Sequence, residues 1–267
     1  MVDNKDNNLF ADSDKKIGVS KNTVNSLVYF YFGFTLDDDT DFILKKIIEK
    51  AYIDATNQGA FNTLIPKKNQ NDKKNAEIVK ANIMEILCKT FKGYDSKCKK
   101  KNYDNWHKKM CDVIVNEYKK FKLNDKFTYG NAQKWLNMSI KYLYLISGIQ
   151  FDEGENKCLK QIINKIEKDK EFAHIPLDSY IIDALWEIRS IYLPVIKGSS
   201  RDKVYKTRPS DHVEKWSCIE KYDKYFETQK TLRKFTDDIH TVPMNWESYS
   251  WIQIAKKIKN PEDSNND

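Results

Sequence analysis

A lysine and an aspartate stand out as the pair whose settings are suited to forming one site. Lys134 lies near the start of Phe127 to Ser147, FTYGNAQKWLNMSIKYLYLIS, and Asp178 lies in His174 to Arg189, HIPLDSYIIDALWEIR. In the first stretch Trp135, Leu136, Ile140 and Leu143 share one helical face, which is therefore predicted as core. Lys134 falls on another face with Asn137, Met138 and Lys141, at the spacings that neighbouring helical turns present together. That face is either bare to solvent or lines a cleft against the second stretch. Asp178 follows Pro176 and stands where an N-cap belongs, ahead of a helix through Ile181, Ala184, Leu185 and Ile188. Capping alone accounts for an aspartate there. A carboxylate so held is also fixed in place and favoured as an anion by backbone N–H groups, which suits it to stabilise a cation.

The elements that must position this pair are helices. Hydrophobic residues make up 40% and aromatics 13% of 267 residues, while glycine and proline number only 8 and 6. Long helices need few such breakers, so the fold class expected is all-α. Thr23 to Phe34, TVNSLVYFYFGF, is the one run that also admits a short strand near 24–33, because periodicity does not separate a strand from a buried helix there. Asp37, Asp38 and Asp39 precede Phe42, Ile43, Ile47 and Ala51 at helical spacing and suit a helix N-terminus. A calcium loop would need alternating ligands and a central glycine. Ile78, Ala81, Ile83, Ile86 and Leu87 mark another helix, and Trp216, Ile219, Tyr222, Phe226 and Leu232 a later one, with Trp246 and Trp251 expected as core in the last. Gly130 permits a tight turn and Thr128 can cap the helix after it. Residues 1–16 and 261–267 are expected as disordered tails. The length between them, 17–260, suits a single mainly helical domain with two lobes and a cleft between them.

Lysine and arginine exceed aspartate and glutamate by 7, with a pI near 8.9, so an anionic partner such as nucleic acid fits. The segment Lys97 to Lys109 interleaves Lys99, Lys100 and Lys101 with Tyr103 and Trp106. It suits either phosphate tracking with base stacking or a solvated helix face. Gly198 to Pro209, a basic loop containing Arg201, either wraps a nucleic-acid backbone or connects helices. Five separated cysteines without a C-x-x-C pair point to reduced thiols of a cytoplasmic protein rather than to zinc. Neither metal nor cofactor is expected. No apolar run approaches bilayer length and no signal-peptide pattern opens the chain, so no membrane association is expected.

Gln133, Lys134 and the run WLNMSIKYLYL, followed by Ile175, Pro176, Leu177 and Asp178 in place of V-P-V-D, resemble the helix-hairpin-helix superfamily of DNA glycosylases. The archaeal 8-oxoguanine glycosylase branch is the most similar, over about residues 127–189. The resemblance implies a two-lobed helical fold, DNA as partner, and removal of an oxidised or otherwise modified base. Asp178 would stabilise charge growing on the sugar, and Lys134 would attack C1′ and form a Schiff base whose collapse nicks the strand. It places Gly130, Gln133 and Lys141 toward nucleic acid, and Tyr142, Trp135 and His174 near the pocket. Two features differ from typical members. Their hairpin has two glycines around an apolar residue, where this chain has Tyr129-Gly130-Asn131. Lys134 and Asp178 are also 44 positions apart, which requires an insertion around Asp152 to Lys170. The alternatives are a helical nucleic-acid-binding protein without turnover and a helical protein-interaction module, either of them in a bacterial defence setting.

Overall fold

A computed structural model describes residues 21–56, 70–97, 99–123, 127–149, 156–187 and 216–259. These form nine helices, α1 (Lys21–Phe32), α2 (Thr40–Thr56), α3 (Gln70–Lys92), α4 (Lys100–Lys120), α5 (Tyr129–Ser147), α6 (Lys157–Lys168), α7 (Ser179–Glu187), α8 (Tyr222–Asp238) and α9 (Pro243–Lys259). A 3-10 turn at Trp216–Cys218 precedes α8. The fold is all-α, with no strand among the described residues. Both predicted tails, and Arg201 with its loop at 198–209, lie outside the described residues. Among the described residues, no helix is long and apolar enough to cross a membrane.

Short polar caps start the helices where the sequence offers them. Asp39 Oδ1 accepts the Phe42 N–H at 2.9 Å, so the acidic cluster does cap α2. Thr128 caps α5 in a reciprocal box with Asn131, which satisfies donors that the first helical turn leaves unpaired. The aromatic run at 23–34 is helix α1 and neither a strand nor buried throughout. Within α1 only Asn25 and Val28 are buried, Leu27, Tyr29, Phe30 and Tyr31 are exposed, and Phe34, just beyond its end, is buried. Gly33, at φ 75°, ends it, donating its N–H to Tyr29 O at 2.8 Å. Glycine adopts that left-handed conformation without the Cβ penalty.

Helix α5 is the axis of the fold, packed against α2, α4, α6 and the 216–218 turn. Every residue from Tyr129 to Asn137 is buried. Ile43, Leu44, Ile47, Ile48 and Ala51 of α2 are fully buried in the core they share with Trp135, Leu136 and Leu143, each large aliphatic side chain contributing about 1.5–3 kcal/mol by leaving water. Gly130 lies inside the first turn of α5 and not in a turn ahead of it. A Cβ there would stand 1.9 Å from Trp216 O, so glycine is required for the 216–219 segment to approach, and Gly130 N donates to Ile219 O at 2.8 Å.

The insertion is also more than a surface connection. Its α6 has Leu159, Ile162, Ile163 and Ile166 on one buried face against α5. Asp169, just after it, accepts from Tyr94 Oη at 2.5 Å, Ser96 Oγ at 2.8 Å and Lys97 N at 2.8 Å, tying α6 to the α3–α4 connection.

Candidate active site

The distant pair is brought together. Lys134 Nζ stands 3.6 Å from Asp178 Oδ2, although Lys134 is only 4% exposed. The α5 face bearing Lys134 meets the N-terminus of α7, where the two carboxylate oxygens of Asp178 divide their work. Oδ1 accepts the Ile181 N–H at 3.0 Å and caps α7. Oδ2 faces Lys134 and accepts the Trp251 indole N–H at 3.4 Å. Capping thus fixes the carboxyl group and turns its second oxygen toward Lys134. The ammonium also lies 4.4 Å from the centre of the Trp216 ring, an attraction that strengthens where water is excluded.

Lys134 and Asp178 form part of the wall of a pocket of about 530 Å³, within the size range of small-molecule sites. Met138, Lys141, Tyr142 and Leu145 of α5 continue that wall, Tyr31 of α1 and Asp54 of α2 close one side, and Tyr180 with Glu247 and Trp251 the other. The Tyr180 and Trp251 rings lie 4.8 Å apart. Lys141 Nζ pairs with Glu247 Oε2 at 2.6 Å, and Glu247 is 1% exposed. Burial pushes the Glu247 carboxyl above the usual carboxylate range, with Lys141 opposing the shift. Across the pocket Tyr142 donates to Asp54, and the Tyr31 and Tyr142 hydroxyls are 3.3 Å apart. Burial and the Asp54 charge push the Tyr142 phenol far above its ordinary value, so it stays protonated.

Behind this wall is a buried polar core. Asn137 Nδ2 donates to Ile175 O at 3.0 Å and Tyr225 Oη at 2.8 Å, and its Oδ1 stands 2.8 Å from His107 Nε2. His174 Nδ1 lies 2.9 Å from Tyr225 Oη, and its Nε2 is 3.0 Å from Asp104 Oδ1. Arg233 reaches the same Asp104 oxygen at 2.7 Å. Burial holds both imidazoles well below the ordinary histidine range, and the nearby Arg233 cation lowers His174 further. His174 therefore remains neutral beside Asp104, whose charge Arg233 already balances.

The sequence-derived candidates separate accordingly. Lys134, Asp178, Lys141 and Tyr142 meet at the pocket. Gly130 and Gln133 do not face a ligand: Gly130 is covered by Trp216 and Gln133 is 0% exposed. Trp135 donates its indole N–H to Ile48 O at 2.9 Å and His174 sits in the polar core, so both are scaffold. Asn137, grouped with Lys134 by helical spacing, turns inward. Lys99, Lys100 and Lys101 are exposed, and Trp106 packs against Tyr94 and Tyr103. Trp251, expected as core, is at the surface and lines the pocket. Tyr31, Asp54, Tyr180 and Glu247 joined the site without a sequence signal, because each reaches it from an element remote along the chain. Comparison with known proteins adds no relative. No family model matches the chain, and neither does any curated protein or solved structure.

Proposed function

We propose that the chain is a DNA glycosylase with AP-lyase activity, of two-lobed helix-hairpin-helix type, acting in the cytoplasm on an oxidised or otherwise modified base in repair or antiphage defence. The observation that carries this reading is a buried lysine amine 3.6 Å from a helix-capping carboxylate on the wall of a pocket of about 530 Å³. Both groups of the expected pair thus stand within reach of one reacting carbon.

In this mechanism the nucleotide leaves the duplex at a cost of roughly a few kcal/mol and enters the pocket. Tyr180 and Trp251 offer aromatic faces, and Lys141 with Glu247 offers a donor beside an acceptor. As the glycosidic bond lengthens, its electron pair departs with the base, and Asp178 Oδ2 stabilises the positive charge developing at C1′. Lys134, after its ammonium gives up a proton to solvent or to a carboxylate, forms the new bond to C1′ and then loses a second proton. Ring opening then gives the iminium. Loss of a C2′ proton to a base expels the 3′ phosphate and nicks the strand, and water hydrolyses the imine to return the lysine.

The test is borohydride trapping on duplexes carrying 8-oxoguanine, other modified bases or an abasic site. Wild-type protein is expected to give a covalent adduct that Lys134→Gln does not. Absence of adduct and of strand cleavage on every duplex would sink the enzyme. Salt-sensitive binding without cleavage would favour a DNA-binding protein without turnover.

A further inference from the structure

The segment Ala173–Asp178 that carries the carboxylate is neither helix nor strand, so its backbone has no strand ladder as partner. Side-chain amides take that place. Gln229 of α8 accepts the Ile175 N–H at 3.1 Å through Oε1 and donates to Ile175 O at 2.9 Å through Nε2. Gln133 of α5 treats Leu177 in the same way, accepting its N–H at 3.3 Å and donating to its carbonyl at 3.2 Å. Each glutamine thus imitates an adjoining strand, pairing both the N–H and the carbonyl of one buried residue, and at Ile175 the carbonyl accepts from Asn137 Nδ2 as well.

The two clamps differ in what they are joined to. Gln133 is the residue before Lys134, and Leu177 is the residue before Asp178. One hydrogen-bonded pair therefore sets the separation of the next. Gln133 is itself held at both ends, donating to Gly130 O at 2.9 Å and accepting from Asn137 Nδ2 at 3.1 Å, and it is 0% exposed. A slip of an extended segment by one residue moves it about 3.3 Å, comparable with the 3.6 Å between amine and carboxylate. Gln229 holds the far end of the segment from a helix that does not bear the lysine.

We propose that Gln133 is a positioning residue, whose clamp on the Leu177 peptide sets the distance between the Lys134 amine and the Asp178 carboxylate. The proposal rests on the lyase reading of that pair. Gln133 touches no ligand, so its loss changes the rate of Schiff-base formation and not the affinity for DNA.

The experiment uses the full chain on duplex DNA with an abasic site, measuring single-turnover borohydride trapping, the Kd for the duplex and the Tm. Three variants are compared with wild type. Gln133→Met removes both bonds to Leu177, Gln133→Glu keeps the acceptor and loses the donor bonds, and Gln229→Met removes the equivalent clamp on Ile175. A displacement near 1 Å can cost about a hundredfold in rate. Gln133→Met is expected to trap about ten- to a hundredfold more slowly at saturating DNA with Kd changed less than about twofold, Gln133→Glu to fall between, and Gln229→Met to stay within about threefold of wild type. Wild-type trapping rates in Gln133→Met, or losses in Gln133→Met and Gln229→Met that simply follow their Tm, overturn the positioning role while leaving the lyase intact. If Gln133→Met does not fold, Gln133→Glu against Gln229→Met decides on the same terms. No adduct from wild type removes the lyase and the positioning role together.

Discussion

Two faces of α5 carry polar residues only one position apart, and they are treated in opposite ways. On the inward face Gln133 and Asn137 are neutral amides whose hydrogen bonds are made to Leu177, Ile175, Tyr225 and His107. On the pocket face Lys134 and Lys141 are cations, each set against a single carboxylate, Asp178 or Glu247. A buried neutral amide with its partners in place stabilises one arrangement, because any other leaves groups unsatisfied. A buried charge with one partner and a pocket beside it retains capacity to engage a further group. The inward face is scaffold, and the pocket face is where reactivity is proposed.

The largest expected effect tests the reactive side. Lys134→Gln should reduce covalent trapping by more than about a thousandfold, with the far-ultraviolet circular dichroism unchanged; trapping that survives would move the nucleophile elsewhere. Next comes the scaffold at its tightest point. Gly130→Ala places a methyl group 1.9 Å from Trp216 O, so the 216–219 segment must move, at a cost of about 1–3 kcal/mol or more. Denaturant unfolding should show that loss, and because the Trp216 ring faces Lys134, trapping should weaken with it. An unchanged midpoint would mean that the segment is not docked as described.

The polar core also makes a prediction about acid. His107 and His174 have folded values depressed below the ordinary 6.5, so the unfolded chain binds more protons than the folded one below that pH. Their penalty is absent well above 6.5 and grows as pH falls through it, by about 1.4 kcal/mol per histidine per pH unit. Unfolding free energy measured between pH 7 and 5 should fall more steeply for wild type than for His107→Asn, and equal slopes would show that His107 titrates alike in the folded and unfolded chain. The smallest effect is expected at the pocket rim. Trp251→Phe keeps an aromatic ring but removes the 3.4 Å bond to Asp178, and should cost less than about 1 kcal/mol in stability. A larger loss would place Trp251 in the scaffold rather than at the rim.

Helical spacing already grouped Lys134 with Met138 and Lys141, and the cap position already fixed Asp178 at a helix start, because both depend on contacts within one or two turns. The same spacing misassigned Asn137, since a residue between two faces of a helix goes wherever a partner meets it, and here Ile175 and Tyr225 meet it. Gly130 was legible as a position requiring glycine but not for the right reason. A tight turn and the close approach of a remote backbone demand the same absence of a side chain, and only the second applies.

By itself the amino-acid sequence determined that the chain is helical, where several helices begin, and that Lys134 and Asp178 each stand in a setting suited to chemistry. These follow from short-range caps, breakers and apolar periods. Only the tertiary structure decided that the two lie 3.6 Å apart, that Glu247 and Trp251 of α9 complete the pocket, and that Gln133 and Gln229 hold the segment between. Those facts depend on which helix faces meet across long separations in the chain, and the meeting is settled by burying the apolar surface of α2, α5 and α6 together.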